Sequence, residues 1–534
     1  MFTGMTLLWL RLVLRPFDLL LHLVGPHYRT YLWFFSTAPA EPIAWLGSLR
    51  AIRAAERASR RVPAYRSFLQ RANSTAQDTA ALRLPETSKQ NYVSAYPPDE
   101  RCVNGNLTMV DTAIDESSGS TGTPYNWIRS MKERHASHLF VSHFARYCYG
   151  DEPWITINAF SMGAWATGVN MGMALQRNSL VKNTGPDLLK IFSTLEFFGT
   201  GHRYLICGYP PFLKRVIDCA REQHFPLDKY RLMGLLGGEG NSEGLRDYLS
   251  QAFDPVYSGY GATDVEIGVA GETAISLAIR RAARSNDELK TALFGHDSRL
   301  PMVFQYNPLM HHIETSETGE LIFTITRLNL LQPRIRYNVH DAGGVATLAE
   351  MERKAKGVGV DLRSLTAASR QPLMPLPFLW IYGRKDSTVS VMGANIYPED
   401  LEQCLYDSPG LATVTNSFCL GLVETSGGAE RPLFSFEVRG RIDNALQRRF
   451  EAEIVERLRT LNADFREAYR EDAEAITPLI RLWQVGEGPF SQDSTHIKQT
   501  RLLRAEHSAG HCHVETPGAK FGPQSLTSPT RGQR

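Results

Sequence analysis

The sequence predicts a mixed α/β architecture, a large N-terminal unit of sheets and helices followed by a small α+β unit. Three observations carry that expectation. Strand-like and helix-like patterns alternate from WITINAF, beginning at Trp154, to PVYSGYGATDVEIG, ending at Gly268. The chain has 534 residues, well beyond one average domain. After YGRKDS, Tyr382 to Ser387, the pattern resets to a strand, LFSFEVRG, and a long charged helix, NALQRRFEAEIVERLRTL. The boundary is expected at Gly383 to Asp386, dividing residues 41–383 from residues 384–504.

The N-terminal stretch MTLLWLRLVLRPFDLLLHLVG is the one hydrophobic concentration. Arg11, Arg15 and Asp18 interrupt it before the roughly 20 apolar residues that a membrane span requires, and no small-residue cleavage site clearly follows. Residues 1–40 therefore read as an amphipathic helical segment, suited either to peripheral contact with a membrane or to packing on its own domain. From Trp45 onward apolar residues recur at helical spacing with arginines between them, and this helix should stop near Pro63. LPETSKQNYVSAYP predicts a loop and a short helix. Two strands, LTMVDTAID and NWIRS, flank a polar loop, and a helix begins near Met131. AISLAIRRAARSNDELKTALFG is expected to be one helix, and HHIETSETGELIFTIT a hairpin turning at Gly319. Residues 505–534 are polar and rich in Gly, Pro and Ser, the composition of a disordered tail.

Composition narrows the function. With 58 Lys+Arg against 56 Asp+Glu, the formal charge of +2 offers no general attraction to nucleic acid. Seven scattered cysteines without a C-x-x-C pair suit reduced thiols in a cytoplasmic compartment. In the tail, His507, His511, Cys512 and His513 are a weak metal-ligand grouping.

The loop between the two early strands carries the chemistry. It contains Ser117, Ser118, Gly119, Ser120, Thr121, Gly122 and Thr123 ahead of Pro124. It is not a Walker loop: Thr123 stands where that motif has lysine, and the loop joins strand to strand. Glycines still let the backbone approach an anion, and successive N–H groups with hydroxyl donors can cradle phosphate. Downstream stand LLGGEG (Leu235 to Gly240), YSGYGATDVE (Tyr257 to Glu266), RIRYNVHDAGG (Arg334 to Gly344), YGRKDS, MGANIYPEDLE (Met392 to Glu402) and HIKQTRLL (His496 to Leu503).

In that order these segments resemble the adenylate-forming superfamily of acyl-CoA synthetases, peptide-synthetase adenylation domains and luciferases, in particular its phenylacetate–CoA ligase-like branch. The resemblance runs from about residue 50 to 504. It implies a large adenylation domain hinged to a small mobile domain, with ATP, Mg²⁺ and coenzyme A as cofactors. The implied substrate is a small carboxylic acid, activated as acyl-AMP and passed to coenzyme A. Transfer to an amine, alcohol or carrier protein stays open as an alternative, as does a nucleotide-binding relative that has lost catalysis. A second copy of the chain also stays open as a partner.

The resemblance also implies residue roles. Gly238, Glu239, Tyr260 and Gly261 look like the adenine-binding wall, and Thr263 like the hydroxyl on the α-phosphate. Asp264 stands where the family has a magnesium-binding glutamate, with Glu266 as a substitute if the loop is shifted. Asp341 matches the carboxylate that accepts from both ribose hydroxyls. Arg384 resembles the arginine that reaches the nucleotide, Asp386 the hinge, and Gly393 the glycine beside the pantetheine tunnel. Lys498 matches the mobile lysine that bridges carboxylate and phosphate during adenylation, although the usual preceding glycine is absent. Phe160, Met162, Gly163 and Trp165 lie where the family binds its acid and suit an aromatic or other apolar one.

Overall fold

The structure is a computed structural model that describes residues 14–117, 125–164, 166–297, 299–367, 369, 371–384, 389–392, 394–424, 430–491 and 502–503. Its centre is an eleven-stranded mixed sheet. In spatial order the strands are His311–Thr315, Glu320–Ile325, Tyr337–Ala346, Phe378–Arg384, Met302–Tyr306, Glu266–Gly271, Val256–Ala262, Arg231–Leu236, Arg203–Gly208, Ile155–Asn158 and Leu180–Asn183. The last five pair in parallel, and every pairing before them is antiparallel.

Chemistry follows that division. Strands such as Ile155–Asn158 and Arg203–Gly208 are buried almost end to end, as parallel strands covered by helices on both faces must be. The apolar face of helix Pro210–Glu222 supplies Leu213, Val216 and Ile217 to that cover. On the other half, helix Ala40–Arg61 places Ala51, Ala54, Ala55 and Ala58 in one core with Phe304, Phe323 and Leu379. Strand Glu266–Gly271 carries glycines where helix Met131–Tyr149 crosses it, and a Cβ at Gly271 would lie 2.1 Å from the Phe144 ring. Only glycine admits so close an approach.

The early strands Thr112–Glu116 and Asn126–Ser130 form a separate antiparallel pair, so the polar loop does join strand to strand. Toward the C-terminus a four-stranded sheet, ordered Leu479–Gln484, Glu430–Val438, Thr415–Glu424 and Leu502–Leu503, packs helix Asn444–Leu461 through Phe434, Phe436, Phe450 and Ile454.

One expected helix divides and another stops where expected. The segment 274–295 breaks into Ala274–Arg284 and Asp287–Phe294. Asn286 causes the break, because its side chain caps the second helix at the Leu289 N–H, 2.9 Å away. Pro63 not only ends the first long helix but opens Pro63–Arg71, where its missing N–H costs nothing.

At the N-terminus, residues 14–24 and Tyr28–Thr37 are helical. Phe17 and Leu21 pack on the core, and Asp18 turns inward to Arg50 and Arg53. Leu19, Leu20, Leu23 and Trp33 are exposed. No described helix is long and apolar enough to cross a membrane.

Candidate functional site

The large sheet changes character at strand Val256–Ala262, parallel to Arg231–Leu236 on one side and antiparallel to Glu266–Gly271 on the other. Crevices at such a switch, outside the carboxyl ends of parallel strands, are where open α/β sheets bind ligands. The LLGGEG and GYGATD segments both emerge there.

Gly238 has φ +83, and a Cβ on it would sit 2.5 Å from Tyr209 Cε1. Glycine is therefore required twice over, by conformation and by space. The Tyr209 ring meets Phe160 edge to face at 5.2 Å, so Phe160, fully buried, forms the floor beneath this loop. Met162 is half-buried and Gly163 exposed on the following turn; Trp165 lies outside the described residues. Glu239 is half-buried beside Tyr209. At Gly261 a Cβ would lie 2.4 Å from the Ile267 carbonyl oxygen, so the turn closes only on glycine.

Tyr260 and Asp341, 81 positions apart, meet directly: the phenol donates to Asp341 Oδ2 at 2.7 Å. Asp341 stands opposite Arg384 in the pairing of Tyr337–Ala346 with Phe378–Arg384. Burial and the Asp341 carboxylate push the Tyr260 hydroxyl well above the ordinary tyrosine range, which keeps it a neutral donor. Its ring leans on Phe304 and Phe323, with centroids 5.9 and 6.2 Å away.

The Thr263–Asp264 turn is gripped from behind. Arg129 donates to the Thr263 carbonyl. Arg334 Nε donates to the Asp264 carbonyl at 2.9 Å, and the Tyr337 hydroxyl to Asp264 Oδ2 at 2.9 Å. Among the described residues Asp264 Oδ1 has no protein partner. Glu266 cannot stand in for Asp264: its buried carboxylate pairs with Arg327 and meets His311 Nε2 at 3.0 Å. Burial holds His311 down at about 3, so this histidine is neutral.

Ser117 closes the base of the polar loop, donating its backbone N–H to the Tyr125 carbonyl at 2.9 Å and accepting the Tyr125 N–H on Oγ at 2.9 Å. Ser118, Gly119, Ser120, Thr121, Gly122 and Thr123 lie outside the described residues, as do Asp386, Gly393, Lys498 and the His507–His513 group. Among the described residues no group of three His, Cys, Asp or Glu is placed to hold a metal ion. An open cavity of about 770 Å³, lined in part by Leu84, His312, Glu314 and Arg336, contains none of the predicted site residues.

Sequence reasoning passed over the contacts that seat the C-terminal sheet and its helices on the helices Pro210–Glu222 and Glu243–Leu249, which cover the large sheet. Glu402 Oε2 accepts the Ser242 N–H at 2.6 Å, and Tyr406 covers Gly244, where a Cβ would lie 2.4 Å from its own. Lys214 Nζ bridges Asp218 Oδ2, at 2.8 Å, to the Thr415 carbonyl, at 3.0 Å. Arg439 binds the same Asp218 and also Glu222, at 3.1 Å. Arg299 lies over the rings of Tyr382 and Tyr397, on either side of the expected boundary, at 4.9 and 3.9 Å.

No protein-family model and no curated protein matches the chain. Solved structures do. 2-Hydroxyisobutyryl-CoA ligase in its postadenylation state with 2-HIB-AMP aligns at a TM-score of 0.64 and 15% identity, over 88% of this chain and 91% of that one. Its complex with R3-HIB-AMP gives 0.64 at 14% identity over the same shares. The same ligase in its thioesterification state, with 2-HIB-AMP and CoA, gives 0.51 at 15% identity, again over 88% and 91%. The chain has the fold of the adenylate-forming ligases.

Proposed function

We propose that the protein is an AMP-forming acid ligase that activates an aromatic or other apolar carboxylic acid with ATP and passes the acyl group to coenzyme A. The observation that carries this reading is the Tyr260–Asp341 hydrogen bond at the switch of the sheet. It joins an aromatic face that suits adenine to a carboxylate that suits a ribose diol, on one wall.

In the first half-reaction a substrate carboxylate oxygen attacks the α-phosphorus, and the bond to the leaving pyrophosphate breaks. Both reactants are anionic, so the site must neutralise charge and hold an in-line geometry. Thr263 would donate to the α-phosphate and Arg384 would reach the nucleotide from the end of its strand. Asp264 would hold Mg²⁺ through Oδ1. One carboxylate oxygen fits a cation whose other ligands are phosphate oxygens and water, and the ion would supply charge neutralisation on the phosphates. Lys498, carried by residues 384–504 as a mobile domain hinged near Asp386, would bridge carboxylate and phosphate. The polar loop would cradle the β- and γ-phosphates, and Gly393 would pass the pantetheine arm in the second half-reaction.

Acid-dependent exchange of pyrophosphate into ATP, across a broad acid panel, tests the first half; no exchange with any acid would sink the reading. Mass spectrometry with coenzyme A, amines and amino acids side by side identifies the acceptor, and an amide product would replace the thioester assignment. Lys498→Ala should slow exchange about 100-fold, the scale of losing one transition-state charge contact. Thioester formation from supplied acyl-adenylate should be retained. Equal loss of both would remove Lys498 from its role.

The better alignment to the postadenylation state than to the thioesterification state supports reading the present seating as the adenylation-side orientation. Lys214, Asp218, Arg439 and Glu222 would then belong to that orientation alone. Arg439→Gln leaves Asp218 short of a partner, and such truncations typically cost a few kcal/mol. Exchange should fall about 10-fold or more while thioester formation from supplied acyl-adenylate is spared. Small-angle scattering that shows no change in domain seating would argue against the assignment.

A further inference from the structure

We propose that Tyr337 and Arg334 are positioning residues of this site, which hold the Asp264 carboxylate so that a single oxygen, Oδ1, is presented to a nucleotide-bound divalent cation. The proposal rests on the preceding reading of Asp264.

An aspartate is one methylene shorter than the glutamate that the family resemblance expects there, so its reach depends on where the backbone is held. Two bonds set that position. Arg334 Nε fixes the Asp264 carbonyl at 2.9 Å, and the Tyr337 hydroxyl fixes carboxylate Oδ2 at 2.9 Å. Both side chains are themselves locked. Tyr337, 1% exposed, stands edge-on to the Trp127 ring at 6.0 Å, and the Arg334 guanidinium lies 4.4 Å over the same ring. Trp127 has no exposure at all.

The outcome is an asymmetric carboxylate. The Tyr337 hydroxyl donates to Oδ2 at 2.9 Å, since a carboxylate oxygen is the acceptor of the pair. The bond occupies Oδ2 and fixes the carboxylate plane, while Oδ1 has no protein partner among the described residues. Outer-sphere hydrogen bonds of this kind to a ligating carboxylate are typically worth about 10–100-fold in metal affinity. A structural role alone would put the same bonds in place without linking them to cation affinity, and that difference is measurable.

The test is Mn²⁺ binding to the full chain with a non-hydrolysable ATP analogue, read by electron paramagnetic resonance. Tyr337→Phe keeps the ring against Trp127 and removes only the hydroxyl. It should weaken Mn²⁺ binding to the nucleotide complex about 10–100-fold and leave metal-free nucleotide affinity within about twofold. Arg334→Lys, which retains the charge but not the Nε–H, should weaken it in the same direction. Asp264→Asn is the reference and should weaken it at least as much. If Asp264→Asn weakens Mn²⁺ binding and Tyr337→Phe does not, the positioning role is overturned while the site reading stands. If Asp264→Asn has no effect although the analogue binds, Asp264 is not the cation ligand and both statements fall.

Discussion

Asp341→Ala should lower acid-dependent pyrophosphate exchange by about 10²–10⁴-fold, with the loss appearing in nucleotide affinity. A carboxylate that accepts two ribose hydroxyls makes two hydrogen bonds to a charged group, each worth about 1.5–3 kcal/mol, and their sum converts to that range. The substitution also strands Tyr260, whose buried hydroxyl donates to Asp341 Oδ2. Tyr260→Phe isolates that second contribution. It keeps the ring against Phe304 and Phe323 and removes one neutral donor, so its loss should be about tenfold. Isothermal titration with ATP, beside a melting curve for each variant, separates lost binding from lost folding. Asp341→Ala with wild-type ATP affinity would show that this carboxylate does not hold the ribose.

Arg246→Leu should destabilise the large unit by about 3–5 kcal/mol, the cost of breaking a buried ion pair by removing one partner. Arg246 has no solvent exposure and joins three elements. Nε pairs with Glu243 at 3.0 Å, Nη2 with Glu272 at 2.6 Å, and Nη1 donates to the Val256 carbonyl at 3.0 Å. Glu272 in turn accepts the Ser258 N–H at 2.7 Å, and Arg280 binds both Glu243, at 2.7 Å, and the Asn241 carbonyl, at 2.6 Å. Leucine would leave Glu272 buried without its bonded cation at the root of the strand that carries Tyr260. The melting temperature should fall by about 5–10 °C, and an unchanged melt would refute the assignment.

The same cluster sets an acid limit. Burial alone would raise the Glu243 carboxyl, but the Arg280 and Arg246 guanidiniums outweigh it and hold it at about 2, against 4.5 when free. A depressed folded-state value means stability that is fully present above pH 4.5 and is lost as pH falls toward about 2.

Much of the site was legible one segment at a time. LLGGEG, GYGATD and the RYNVHD aspartate could each be picked out by resemblance to the ordered motifs of a known family, because such a motif is carried by a few consecutive residues. The strand-to-strand setting of the polar loop was legible as well, since period-two patterns stand on both sides of it. The single helix expected over 274–295 was not found, because the Asn286 cap outweighs continued helical spacing there. The alternative of Glu266 as a metal ligand failed for a reason outside its own segment: Arg327 and His311 take its carboxylate.

Arginines mark the division most plainly. In sequence, Arg129, Arg246, Arg280 and Arg334 resemble the solvated arginines between apolar positions elsewhere in the chain. Each is buried, against a carboxylate or carbonyl that arrives from another segment of the chain. By itself the sequence determined the kinds of element, the order of the motifs and the chemistry available at each, because propensity, glycine conformation and side-chain type act over a few residues. Tertiary structure alone decided that Tyr260 would bond Asp341 and that Tyr337 would occupy one oxygen of Asp264. Those bonds join segments that are not neighbours in the sheet, since three strands stand between Val256–Ala262 and Tyr337–Ala346, so they depend on how the whole sheet packs rather than on either strand.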